Sequence, residues 1–128
     1  MRILFDSSVW IECFRGKSAI VSRAQALINE KNVVTCDAVL AELLPSCKHR
    51  NEYHLIALLK SVEKQPLFID WDAIVIMQTI CLKHGINKVS IPDLLIVQHA
   101  LQYDYAICAL DAHFRLMERY LPFSLFEI

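Results

Sequence analysis

The sequence predicts an α/β domain built on a mainly parallel sheet. Three observations carry that prediction. Short apolar runs alternate with segments of helical period along the whole chain. The first run, Ile3-Leu4-Phe5, stops abruptly at Asp6 and has no polar alternation, the pattern of a strand buried on both faces. The chain is 128 residues long and contains no repeat, low-complexity tract or Pro/Gly/Ser-rich linker, so residues 1–128 fit one domain of ordinary size.

In order, strand one is Ile3–Phe5, followed by helical material near Val9–Phe14 and over about Ser18–Glu30. Val33–Cys36 is a second strand, and Asp37 is placed to cap a helix running to about Lys48. Leu55, Leu58, Leu59 and Val62, three and four residues apart, predict a helix over Glu52–Lys64 that Pro66 ends. Leu67-Phe68-Ile69 then reads as a third strand, and Asp72–His84 as a helix closed by Gly85. Ser90-Ile91-Pro92-Asp93 opens another helix, with proline in its first turn and Leu94, Val97 and Leu101 facing inward. Tyr105–Leu110 is the fourth strand and stops at Asp111. A short helix over Ala112–Tyr120 and a last strand over Phe123–Phe126 complete a five-stranded count.

Apolar residues make up 55% of the chain, more than the roughly 45–50% of ordinary soluble domains. A homodimer or a tight protein partner would cover the surplus; a dense core is the alternative. Trp10 with Phe14, and Trp71 with Val75, share helical faces assigned by default to the core, with a surface for a protein partner as the second reading. The five cysteines include no C-x-x-C pair, which argues against a zinc finger or disulfide framework and for reduced, cytoplasmic thiols. No stretch approaches the ~18 apolar residues of a membrane span. Net charge is −1, but four acids gathered in one site would leave ten against 13 Lys and Arg, a balance that permits an RNA substrate.

Four acids carry the chemistry. Asp6 and Asp111 lie just past strand ends, where open α/β sheets bind ligands. Glu42 lies inside the helix after strand two, between apolar neighbours, and Asp93 begins a helix. All four would converge if strands one, two and four were adjacent. Carboxylates without dedicated His or Cys ligands suit a hard ion, Mg²⁺ or Mn²⁺. Such an ion supports in-line hydrolysis of a phosphate ester by an activated water. Each acid also has a plain structural role: Asp6 and Asp111 as caps, Asp93 as a first-turn residue, Glu42 as a solvent-facing position. The signal lies in their order.

That order resembles a known family. Ile3-Leu4-Phe5-Asp6-Ser7-Ser8-Val9-Trp10-Ile11 is similar to the opening motif of PIN domains, especially of VapC-type toxins. Val39–Leu43, Ile91–Ile96 and Ala109–Phe114 resemble the family's later acidic motifs. The resemblance spans essentially the whole chain and implies a five-stranded parallel sheet flanked by helices with the first strand central. It implies that Asp6, Glu42, Asp93 and Asp111 surround Mg²⁺ (or Mn²⁺), with Asp6 and Asp93 the most direct ligands and Asp111 the least constant. It further implies a toxin ribonuclease of a type II toxin–antitoxin pair: an RNA substrate, a cognate antitoxin and a homodimer.

Ser7 is placed to hydrogen-bond a ligand or to cap the first helix. His113 and Arg115 are candidates for touching substrate phosphate, with surface exposure as the alternative. The basic cluster Lys48-His49-Arg50 suits RNA phosphates or the end of a helix. Other readings are a PIN nuclease that is not a toxin, a metal-binding module without catalysis, and a phospho-acceptor using Asp70. The last wants paired acids after strand one and a lysine after a late strand; only Asp6 and Lys88 offer themselves.

Overall fold

The computed structural model describes residues 1–16 and 18–128. Its elements are β1 (Ile3–Phe5), α1 (Ser7–Arg15), α2 (Ala19–Asn29), β2 (Val33–Thr35), α3 (Asp37–His49), α4 (Tyr53–Ser61), β3 (Glu63–Lys64), α5 (Trp71–Lys83), α6 (Ile91–Tyr103), β4 (Ala106–Cys108), α7 (Ala112–Glu118) and β5 (Ser124–Leu125). The five strands form one sheet in the order β3-β2-β1-β4-β5. Every pairing is parallel, with Ile3 opposite both Val33 and Ala106. Parallel pairing requires a crossover between strands, and the helices supply it.

The chain winds outward from β1 to β2 and β3, then returns across the sheet to β4 and β5. The direction therefore reverses between β1 and β4, which makes their carboxyl ends the switch point of the sheet. The three central strands are buried throughout, and Leu4, Phe5, Val34 and Ile107 are fully enclosed. Trp10 is fully buried and meets the Phe5 ring edge-on at 5.4 Å, locking α1 to β1. Cys36, Cys47, Cys81 and Cys108 are buried free thiols that pack as small apolar residues.

The third strand is not where its composition places it. The sheet-forming residues are Glu63–Lys64, which pair with Val34 and Thr35, because α4 ends at Ser61 rather than Lys64. Leu67–Ile69 is in no strand. Its backbone is partnered by side chains of α6 instead. Gln102 accepts from the Phe68 N–H and donates to the Phe68 carbonyl; Gln98 does the same for Asp70. Two glutamines one turn apart thus stand in for a neighbouring strand.

Smaller corrections follow local geometry. Cys36, not Asp37, is the cap residue of α3; Asp37 is its first helical residue, and its carboxylate pairs with Lys64 at 2.6 Å. Trp71 and Val75 are 58% and 63% exposed rather than core, and Leu101 is 39% exposed rather than inward. With Phe68 and Ile76, Trp71 and Val75 put a group of large apolar side chains on the surface. Among the described residues, no helix is long and apolar enough to cross a membrane.

Candidate active site

Asp6 leaves β1 as the cap residue of α1. Its carboxylate is almost fully buried, and its Oδ2 accepts from the Ser8 hydroxyl at 2.8 Å and the Ser8 N–H at 3.3 Å. The Ser8 hydroxyl oxygen also accepts from the Leu110 N–H at 3.0 Å. This one side chain therefore ties the carboxyl end of β1 to the turn after β4, where Asp111 sits. Burial pushes the Asp6 carboxyl above its usual range, Asp111 adds repulsion, and the bonds from Ser8 and the Ser7 N–H oppose the rise.

Glu42 reaches the same end of the sheet from α3, five residues past the α3 start at Asp37. Its Oε2 accepts from the Ser7 hydroxyl at 3.0 Å. Burial raises its carboxyl, Ser7 lowers it, and Asp6, Asp93 and Asp111 each raise it further. Glu42 thus lies within electrostatic reach of the other three acids, in keeping with the β2-β1-β4 order.

Asp93 does two things at once. It completes a capping box, accepting from the Ser90 N–H at 3.0 Å while the Ser90 hydroxyl accepts from the Asp93 N–H. Its Oδ2 also lies 3.2 Å from His113 Nε2, an ion-pair distance without hydrogen-bond alignment. Asp111 holds the cap position of α7 but its side chain makes no capping bond, so its structural role is unfilled. Asp70, by contrast, is occupied as the α5 cap, accepting from the Ala73 N–H at 3.1 Å.

Ser7 does not cap α1; its hydroxyl holds Glu42. His113 joins the acids through Asp93. Arg115 does not, because it pairs with Glu127 at 3.2 Å. Ser8 was the omission. Its signal was its place in the first turn, two residues past Asp6, where a hydroxyl reaches back to the cap carboxylate.

The donor set suits a hard divalent cation: four carboxylates, two of them raised by burial and by neighbouring acids, with no Lys or Arg among the described residues paired to any. Among the described residues, no three Asp, Glu, His or Cys side chains are gathered tightly enough to enclose an ion as they stand. Mutual repulsion of the carboxylates works in that direction.

Known proteins share this architecture. A chain of FitAcB from Neisseria gonorrhoeae superposes with a TM-score of 0.72 at 21% identity, covering 98% of this chain and 96% of that one. VapBC2 from Rickettsia felis, solved bound to a DNA fragment from its promoter, gives 0.76 at 16% identity, with 98% of each chain covered. PAE2754 from Pyrobaculum aerophilum gives 0.60 at 9% identity over 91% of this chain and 86% of that one. At these identities the likeness concerns the fold. No curated protein matches the sequence. The family model of the PIN domain matches residues 3–120, nearly the whole chain: the chain belongs to the PIN domain family.

Proposed function

We propose that this chain, residues 1–128 acting as one PIN domain, is the toxin of a type II toxin–antitoxin pair and a Mg²⁺-dependent endoribonuclease. The observation that supports the reading is that Glu42 lies within electrostatic reach of Asp6, Asp93 and Asp111 near the switch point of the sheet. When bound there, Mg²⁺ (or Mn²⁺) would polarise the phosphodiester and make water a stronger nucleophile at neutral pH. Asp6 and Asp93 are its direct ligands in this account, and Glu42 and Asp111 complete the charge.

The chain's own residues orient the acids. Ser8 fixes the Asp6 carboxylate, and Ser7 fixes that of Glu42. The Ser90 N–H donates to Asp93 Oδ2, and His113 Nε2 lies 3.2 Å from the same oxygen. Preorganised donors of this kind spare the site reorganisation during the reaction. The burial of Asp6 keeps bulk water from screening it.

The toxin reading rests on the VapC-like motifs and on a fold shared with chains from VapBC2 and FitAcB. A cognate antitoxin, a cytoplasmic setting and a homodimer belong to it. The exposed Phe68, Trp71, Val75 and Ile76 offer an apolar face suited to the dimer contact. Tightly controlled induction of the native chain and of Asp93→Asn in a bacterial host tests the proposal. Arrest by the native chain alone supports it; arrest by both variants would mean that toxicity does not come from the acids.

A further inference from the structure

A cleft of about 370 Å³ opens beside the acids, between α1, α3 and the start of α4, and Glu42 lines it. It therefore shares one residue, Glu42, with the proposed catalytic group. Arg15 and Arg50 line it too, one from the last turn of α1 and the other from the end of α3. Ile11, Phe14 and Leu55 supply an apolar wall.

Neither guanidinium is within ion-pair distance of a carboxylate among the described residues, although Glu52 lines the same cleft. Each arginine also suits the negative end of its own helix. That role does not require two helices to end at one cleft. Lys48, from the same basic run as Arg50, lines a different cavity on the other side of α3. The run is thus divided between two surfaces, and only Arg50 of the three faces the cleft beside Glu42.

We infer that this cleft is the RNA-strand subsite of the nuclease: Arg15 and Arg50 grip backbone phosphates flanking the scissile one, and a base packs on the wall of Ile11, Phe14 and Leu55. The inference rests on the nuclease reading and extends it. Four carboxylates repel the parts of a polyanion that a bound cation does not reach, so cationic flanks help to hold the strand beside them. Arginine forks match phosphate oxygens in pairs. An apolar wall between them gives a flat base a surface in a manner tolerant of sequence. A peptide occupant would need carboxylates at the same two points, next to a site already crowded with them.

The test is binding of a short, mixed-sequence, fluorescently labelled single-stranded RNA in excess chelator, followed by anisotropy across a salt series. Each of Arg15→Gln and Arg50→Gln is expected to weaken binding about tenfold, and the double variant about a hundredfold. Loss of two phosphate contacts should flatten the salt dependence by about 1.4 in log–log slope. Arg23→Gln, on α2 and away from the cleft, should bind as the native chain does. Circular dichroism melts confirm that the variants fold. Native affinity and slope in the double variant would overturn the inference, as would failure of the native chain to bind RNA. Unchanged RNA binding with lost binding of the antitoxin would reassign the cleft to a protein. RNA held through both arginines but never cut on adding Mg²⁺ would leave the subsite standing and sink the nuclease reading alone.

Discussion

Ser8→Ala isolates the connection between the two strand ends that carry the acids. The hydroxyl donates to Asp6 Oδ2 at 2.8 Å and accepts from the Leu110 N–H at 3.0 Å. A hydrogen bond to a buried ionised carboxylate contributes about 1.5–3 kcal/mol, and a neutral one about 0.5–1.5 kcal/mol. Leu110 is 40% exposed, so water can replace its partner, and the second contribution falls to the low end. The total is about 2–3.5 kcal/mol at neutral pH. It must also depend on pH. Asp6 is already raised by burial, and Ser8 is the largest influence lowering it, so the variant's carboxyl rises further. A carboxyl raised on folding costs stability above its folded pKa and recovers it as pH falls through that value. The penalty of Ser8→Ala should therefore be largest near pH 7 and shrink on acidification, as Asp6 takes up its proton. Urea unfolding of both proteins across pH, without metal, measures it. A penalty under about 0.5 kcal/mol, or one independent of pH, would refute the assigned bond.

Further predictions follow from other contacts. Gln98→Ala removes both bonds to the Asp70 backbone and should cost about 1–2 kcal/mol, with faster hydrogen exchange at the Asp70 amide; unchanged exchange would mean the segment is held otherwise. His99 is buried against Tyr103 and Tyr105 with neither ring nitrogen bonded, and burial holds its pKa below the ordinary 6.5. The unfolded chain then binds that proton more readily, so stability is lost as pH falls below about 6.5, and His99→Phe should lose this component in an acid melt series. Trp71→Asp should lower the mass measured by light scattering from dimer to monomer while changing the monomer's stability by no more than about 0.5 kcal/mol; an unchanged dimer would move the interface elsewhere.

Much of this was legible because burial and strand direction write strongly into sequence. Ile3–Phe5, Val33–Cys36 and Tyr105–Leu110 are mostly apolar runs that contain the three central strands, and the acids after the first and last of them mark the switch point. Asp93 was legible twice over, as a capping residue and as a site acid, and it fills the first role in fact. The edge was less readable. Glu63-Lys64 carries no apolar signal because an edge strand needs none, whereas Leu67–Ile69 carries one although the backbone of Phe68 and Asp70 is held by two glutamines and not by a strand. The outward turn of Trp71 and Val75 was hidden for the same reason: helical spacing gives a shared face but not what the face meets. The bond from the Leu110 N–H to Ser8 and the approach of His113 to Asp93 join residues 102 and 20 apart in sequence, and no local pattern encodes those contacts.

Cleavage of a mixed RNA pool by the purified chain tests the central claim most directly. The native protein with Mg²⁺ should shorten the RNA; the same protein in excess chelator, and a folded Asp93→Asn variant with Mg²⁺, should leave it intact. Cleavage that survives either the chelator or the substitution would contradict the assignment of these four carboxylates to a metal-dependent nuclease site.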